Sequence, residues 1–147
     1  MDAGRSRARF AETRVARLAT VDGAGRPHLV PIVFVLLGDG IYSAVDTKPK
    51  SAPGPGARLR RLDNIRANPA VSVLVDHYAE DWGRLWWARA DGTARLIEVA
   101  GIEAAQPLGA LVDRYPQYHD APPPGPVIAI AVHRWSGWAA SESGQSP

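Results

Sequence analysis

"ARLATVDGAGRPHLVPIVF", residues 16–34, contains two predicted strands and the turn between them, and it sets the fold class of the chain. Residues 16–21 have strand composition, and "DGAGRP" at 22–27 is typical of a turn because its glycines allow positive φ. An apolar strand is predicted over residues 28–37. Pro31 lacks an N–H, so it must lie at a sheet edge, at a bulge or facing a ligand. Strands joined by so short a turn are antiparallel.

The remaining periodicities predict further strands with helices between them. A mainly β chain with flanking helices follows, and we expect a small closed antiparallel barrel in preference to a doubly wound parallel sheet. We predict helices at residues 5–17, 58–67 and 99–116, an extended connector at 121–126, and strands at 41–46, 70–76, 84–98 (bent near Asp91-Gly92) and 127–141.

Length and composition limit the possible classes of protein. The 147 residues suit one domain, expected over residues 1–141, with a disordered tail at 142–147. The sequence has no cysteine, which excludes disulfides, thiolate zinc sites and cysteine nucleophiles. No apolar run approaches the roughly 18 residues of a membrane helix, and no secretory signal is visible. We therefore expect a cytoplasmic protein that does not bind membranes.

A basic segment, "KPKSAPGPGARLRRLDNIRANP" at residues 48–69, is the strongest local charge feature. A solvated helix face would be the ordinary explanation. Cations at a helix N-terminus, however, oppose the macrodipole, whereas the free N–H groups there attract anions. We therefore interpret the segment as a site for a ligand with several negative charges. Its cations are Lys48, Lys50, Arg58, Arg60 and Arg61.

Other chemical signals are weak. Trp86 and Trp87 are adjacent, so on a strand they face opposite sides, one toward the core and one available to a ligand or a partner subunit. The four histidines show no ligand spacing, and we predict no metal site. There is no Walker loop, dinucleotide fingerprint or serine elbow. An enzyme without obvious catalytic groups usually takes its chemistry from a cofactor.

Three segments carry a family resemblance: the opening stretch, "LDNIRANPAVSVLVD" at 62–76, and "HYAEDWGRLWWARADG" at 77–92. Their order resembles the flavin-type split β-barrel superfamily, the pyridoxamine-phosphate-oxidase-like group. The third segment is similar to an actinobacterial subgroup that uses the deazaflavin coenzyme F420 in place of FMN. The resemblance covers roughly residues 8–98, and the last strand is also in place.

The resemblance implies a split antiparallel β-barrel and a homodimer with two cofactor sites at the subunit interface. The cofactor ring would lie over residues 29–33 and 42–44, and its phosphate would meet the basic pair before the helix. The insertion "KSAPGPGA" at 50–57 departs from the family pattern and leaves the exact phosphate ligands open. By position the ring would contact Val30, Pro31, Ile32 and Ser43. The phosphate would contact Arg60 and Arg61, with Lys48, Lys50 and Arg58 as further candidates. Trp86 and Trp87 of the other subunit would border the ring.

Four functions remain open on the sequence alone. The first is an F420-dependent oxidoreductase that passes a hydride to a small acceptor, and the second is its FMN-dependent counterpart. The third is a non-catalytic F420 carrier, which would have the same binding surface. The fourth is a nucleic-acid-binding barrel, which the formal charge of only +2 disfavours. Neither a catalytic residue nor the acceptor can be named from the sequence.

Overall fold

The computed structural model of the chain describes residues 1–45 and 60–141, and all structural statements concern these ranges. They form seven strands and four α-helices, with short 3₁₀ turns at Trp82–Arg84 and Ile102–Ala104. The helices are α1 Ala3–Glu12, α2 Arg60–Ala67, α3 Ala105–Arg114 and α4 Gln117–Asp120. The strands are β1 Ala16–Val21, β2 Pro27–Ile32, β3 Val35–Leu37, β4 Gly40–Ala44, β5 Ala70–His77, β6 Trp86–Ile97 and β7 Val127–Ala139.

The strands form one curled antiparallel sheet in the order β2-β1-β5-β6-β7-β4-β3. The two edge strands, β2 and β3, follow each other in the chain and are separated only by Val33 and Phe34. Ser43 Oγ, on β4, donates a hydrogen bond of 2.8 Å to the Val33 carbonyl, which brings the two edges of the sheet together. The predicted mainly β split-barrel architecture with flanking helices is confirmed.

Strand register separates an inner from an outer face of this sheet. The inner row, which is fully buried except for the partly buried Val30, crosses four strands at Leu18, Val30, Val73 and Ala90. The neighbouring outer row is more exposed, consistent with the alternation of side chains along a strand. It consists of Arg17, Pro31, Leu74 and Arg89.

Helices α1 and α2 pack at opposite ends of the inner face. Phe10 of α1 is fully buried and meets Trp135 edge-on, with ring centroids 5.2 Å apart. At the other end Asn64 of α2 donates a buried hydrogen bond of 3.0 Å to Thr20 Oγ1, near the end of β1. Leu62 is almost fully buried beside it. We refer to these as the α1 end and the α2 end of the barrel.

The predicted bend in β6 coincides with an irregularity in its pairing with β7. Asp91 pairs with Arg134 and Gly92 pairs with Val132, so His133 is the extra residue of a bulge. A Cβ atom at Gly92 would collide with the Ala131 carbonyl oxygen. The strand therefore requires glycine at this close approach.

Two predicted elements differ from the structure at the start of the chain. The helix predicted at 5–17 ends at Glu12, because Thr13 is already extended and the chain then enters β1. The single strand predicted at 28–37 is two strands, β2 and β3. It breaks at Phe34 because side chains take that residue's backbone groups: the Tyr115 hydroxyl accepts from Phe34 N–H at 3.1 Å, and Arg114 donates to Phe34 C=O at 3.0 Å.

The helix predicted at 99–116 is also shorter than expected. Residues 99–104 form turns, α3 ends at Arg114, and α4 occupies part of a region that was predicted without a helix. Pro107 lies in the first turn of α3, where its missing N–H costs nothing. Arg58 and the tail 142–147 lie outside the described residues. No helix in the described ranges is long and apolar enough to cross a membrane.

Candidate functional site

The strands predicted to carry a cofactor ring meet at the closure of the barrel. Pro31 is exposed on β2, an edge strand, as its missing N–H requires. Val30 and Ile32 alternate with it and face the core, where Ile32 is only 5% exposed. Ser43 is buried on β4, and its hydroxyl donates a hydrogen bond to the Val33 carbonyl. The structure thus brings β2 and β4 together, but of these four predicted residues Pro31 alone is exposed.

The basic pair of α2 lies beside the β1–β2 turn. Arg60 is exposed and Arg61 is half-buried. The pKa of Asp22 is lowered from its usual 3.8, chiefly by the hydrogen bond from Arg26 N–H. The hydrogen bond from Ala24 N–H and the nearby charges of Arg26 and Arg60 lower it further. Arg60 therefore lies within electrostatic reach of the turn. The predicted cations Lys48, Lys50 and Arg58 lie outside the described residues.

The adjacent tryptophans face opposite sides of β6, as predicted. Trp86 packs against the core at the α1 end, where the Arg9 guanidinium lies 4.6 Å from its ring centroid. Trp87 points outward and is paired with Trp138 on β7. Both tryptophans pair with the last residues of β5, whereas α2 precedes its first residue, and β5 is about 23 Å long at roughly 3.3 Å per residue. Within one chain they do not meet the basic pair.

The outer face of the sheet carries apolar side chains that the barrel core does not use. Leu29 is 67% exposed on β2 and Trp138 is 47% exposed on β7. Leu74 and Trp87 lie between them on the same face and are partly exposed. We call these four residues the outer apolar face. The arginines of the outer row lie among them, and aromatic residues together with arginine are enriched at protein interfaces.

A pocket of about 330 Å³ lies at the α1 end, and no sequence motif indicates it. It is assembled from α1, the last residue of β5, the 82–84 turn and the adjoining ends of β6 and β7. Its members are too far apart in sequence for any motif to reveal them. The lining residues are Arg9, His77, Gly83, Arg84, Leu85, Trp86, Ala139 and Ser141.

A ring cofactor with a phosphate fits the residues at the α2 end. An edge strand has backbone groups that no second strand satisfies, and these suit the polar edge of a flavin or deazaflavin ring. His28 of β2 has a buried Nδ1 that makes no hydrogen bond within the described part of the chain. The exposed Arg60 supplies a cation suited to a phosphate. Among the described residues no cluster of His, Asp or Glu could hold a metal ion.

Residues 4–139 match the model of the family described as pyridoxamine 5'-phosphate oxidase. The chain belongs to this family. The match covers all seven strands of the barrel and supports the wider resemblance seen in the sequence, although not the F420 subgroup. A comparison with curated proteins finds no match.

Solved structures share the fold at low sequence identity. A FAD-binding protein of Mesorhizobium loti superposes with a TM-score of 0.68 at 22% identity, covering 93% of this chain and 94% of that one. A conserved hypothetical protein of Mycobacterium tuberculosis has a TM-score of 0.73 at 19% identity, covering 100% and 90%. The heme storage protein HutZ of Vibrio cholerae has a TM-score of 0.69 at 18% identity, covering 95% of each chain.

Proposed function

We propose that the protein is an F420-dependent oxidoreductase that reduces a small acceptor. The observation that carries the proposal is the match of the oxidase family model to nearly the whole barrel, residues 4–139. The structural neighbour from Mesorhizobium loti, a FAD-binding protein, supports a flavin-type ligand for this fold. When bound, the cofactor supplies the hydride that goes to the acceptor.

The residues of this chain position the cofactor. The exposed edge of β2 around Pro31 would receive the ring, and Ser43 would fix that edge through its bond to Val33. Arg60 and Arg61 would bind the phosphate, with the guanidinium plane suited to two-pronged contact.

A second copy of the chain would complete the site. Strands β1 and β5 lie between Pro31 on β2 and the tryptophans on β6, so the tryptophans could border a ring over Pro31 only from a partner. Trp87 lies on the outer apolar face, whereas Trp86 faces the core. We therefore assign the bordering role to Trp87. The outer apolar face, with Trp138 about half exposed, supplies apolar surface for such a homodimer.

The preference for F420 over FMN rests on the spread of basic residues in the sequence. FMN ends in one phosphate, which two arginines can satisfy. F420 continues from its phosphodiester into a chain of glutamate carboxylates. Five cations between Lys48 and Arg61 suit a charged tail better than a single phosphate. The alternatives are an FMN-dependent enzyme and a carrier that binds F420 without turnover.

A titration of the apoprotein tests the proposal. F420, FMN, FAD and hemin are added separately and binding is followed by absorbance, with hemin included because a neighbour is a heme storage protein. We expect F420 to bind most tightly and reduced F420 to be oxidised when a panel of acceptors is added. Tight binding of F420 with no turnover would favour the carrier. Tighter binding of FMN, FAD or hemin would reject F420 as the ligand.

A further inference from the structure

Hydrogen bonds join the walls of the pocket at the α1 end. Ala140 N–H donates to the Leu85 carbonyl at 2.9 Å, and Ser141 Oγ donates to the Gly83 carbonyl at 3.0 Å. Gly83 N–H in turn donates to Asp81 Oδ1 at 3.0 Å. These bonds join the last residues of the described chain to the turn before β6. Walls held by such bonds lose less conformational freedom on binding than free loops would.

The charge of this pocket is one-sided. Two arginines, Arg9 and Arg84, line it, and none of its described lining residues is acidic. The Arg9 guanidinium lies 3.7 Å from the Glu12 carboxylate and also packs over the face of the Trp86 ring. Arg84 is exposed, and within residues 1–45 and 60–141 its guanidinium takes part in no ion pair or hydrogen bond. It is therefore available to an anion.

We infer that this pocket binds a small organic oxyanion, with a carboxylate or phosphate on Arg84 and Arg9 and an apolar body against Leu85 and Trp86. The volume of about 330 Å³ is near the lower limit for small-molecule sites. It holds roughly ten times the 30 Å³ share of one water molecule, so a bare inorganic ion would leave it mostly unfilled. Arginine binds either anion in two-pronged fashion.

This site is separate from the α2 end. Trp86 and His77 lie at the opposite end of β5 from α2, on the inner side of the sheet. The inference does not depend on which cofactor the protein uses. The ordinary alternative is that Arg84 is only a solvated surface cation, in which case its removal changes no binding.

Benzoate and phenyl phosphate serve as probes, with benzyl alcohol as the neutral counterpart, at constant ionic strength. Binding is followed by NMR through the indole N–H signal of Trp86, assigned with Trp86→Phe. We expect saturable binding of at least one anion and none of the alcohol. Arg84→Ala should weaken it about tenfold, as expected for loss of a charged hydrogen bond. A preference between the anions identifies the ligand as a carboxylate or a phosphate monoester.

Arg95→Ala is the matched control, because Arg95 lies on the same strand as Trp86 but pairs with Glu103 at 2.6 Å. It should leave probe affinity unchanged. Arg84→Lys should recover part of the affinity by restoring the charge. The inference is overturned if neither anion binds the wild type, if benzyl alcohol binds as well as the anions, or if Arg84→Ala and Arg95→Ala behave alike.

Discussion

Ser43 and Val33 close the barrel through one hydrogen bond, from the Ser43 hydroxyl to the Val33 carbonyl at 2.8 Å. Ser136 also has a buried hydroxyl, but it has no hydrogen-bond partner in the described chain. Ser43→Ala should therefore lower the free energy of unfolding by about 1 kcal/mol, whereas Ser136→Ala should be neutral or slightly stabilising. Chemical denaturation measures both. Equal losses from the two substitutions would show that the bond does not stabilise the closure.

Tyr115 holds the break between β2 and β3. Its hydroxyl accepts from Phe34 N–H at 3.1 Å and lies within 2.8 Å of the Arg14 carbonyl, to which it can donate. Tyr115→Phe should cost about 1–3 kcal/mol, because the buried N–H loses its acceptor. Tyr42→Phe is the control, since the Tyr42 hydroxyl makes no hydrogen bond with the described residues. A Tyr115→Phe protein as stable as the control would contradict this role.

The same contacts explain where prediction from sequence succeeded and failed. The Asp-Gly turn and the bend at Gly92 follow from local chemistry and are confirmed. The edge position of Pro31 is one of the three places that its missing N–H allowed. The break at Phe34 depends on Tyr115, which is 81 residues away. No local pattern could reveal such a partner.

The candidate site follows the same division. The basic pair and the opposite facings of Trp86 and Trp87 were visible in the sequence because each depends on neighbouring residues. The Arg84 pocket was not, because it joins α1 to the ends of three strands. The cofactor contacts of Lys48, Lys50 and Arg58 remain predictions, since they fall outside the described residues.

Asp22 should make stability depend on pH in the acid range. Its pKa in the folded chain is lowered from 3.8, first by the bond from Arg26 N–H. A lowered pKa gives stability that is fully present above the unfolded value and is lost as the pH falls through the folded value. Asp22→Asn retains an acceptor oxygen but no charge, so it should be less stable than wild type at pH 6. The difference should shrink below pH 3.8.

Denaturation curves of wild type and Asp22→Asn at several pH values check this, with NMR titration of the Asp22 carboxyl. A titration midpoint at or above the ordinary value would mean that the turn does not hold the carboxylate. A stability difference that grows toward low pH would contradict the sign of the effect.

The outer apolar face should form the proposed homodimer. Trp138→Glu places a charge in that face and should produce a monomer at micromolar concentration, because burying an unpaired carboxylate is unfavourable. Ile102→Glu is the control, since Ile102 is 95% exposed in the Ile102–Ala104 turn. Sedimentation velocity distinguishes the two species. A wild-type monomer, or a dimer disrupted by Ile102→Glu but not by Trp138→Glu, would reject this interface.

Arg60 and Asp22 should affect cofactor affinity in opposite directions. If the phosphodiester of F420 binds at the start of α2, Arg60→Ala should weaken binding by about 1.5–3 kcal/mol, the range for hydrogen bonds to charged groups. Arg61→Ala should have a similar effect. Asp22→Asn should tighten binding, because it removes a negative charge within reach of Arg60 while keeping an acceptor for the turn. Isothermal titration of F420 measures all three.

The length of the glutamate tail decides between F420 and a ligand with one phosphate. Each added carboxylate should find a cation between Lys48 and Arg61, so affinity should rise with tail length. The gain should shrink as salt is added, because contacts near solvent are screened beyond about 10 Å at 0.1 M ionic strength. Arg95→Ala, whose guanidinium is paired with Glu103, should change neither trend. Equal affinity for short and long tails, or tighter binding of FMN than of either, would leave the spread of cations without the role proposed for it.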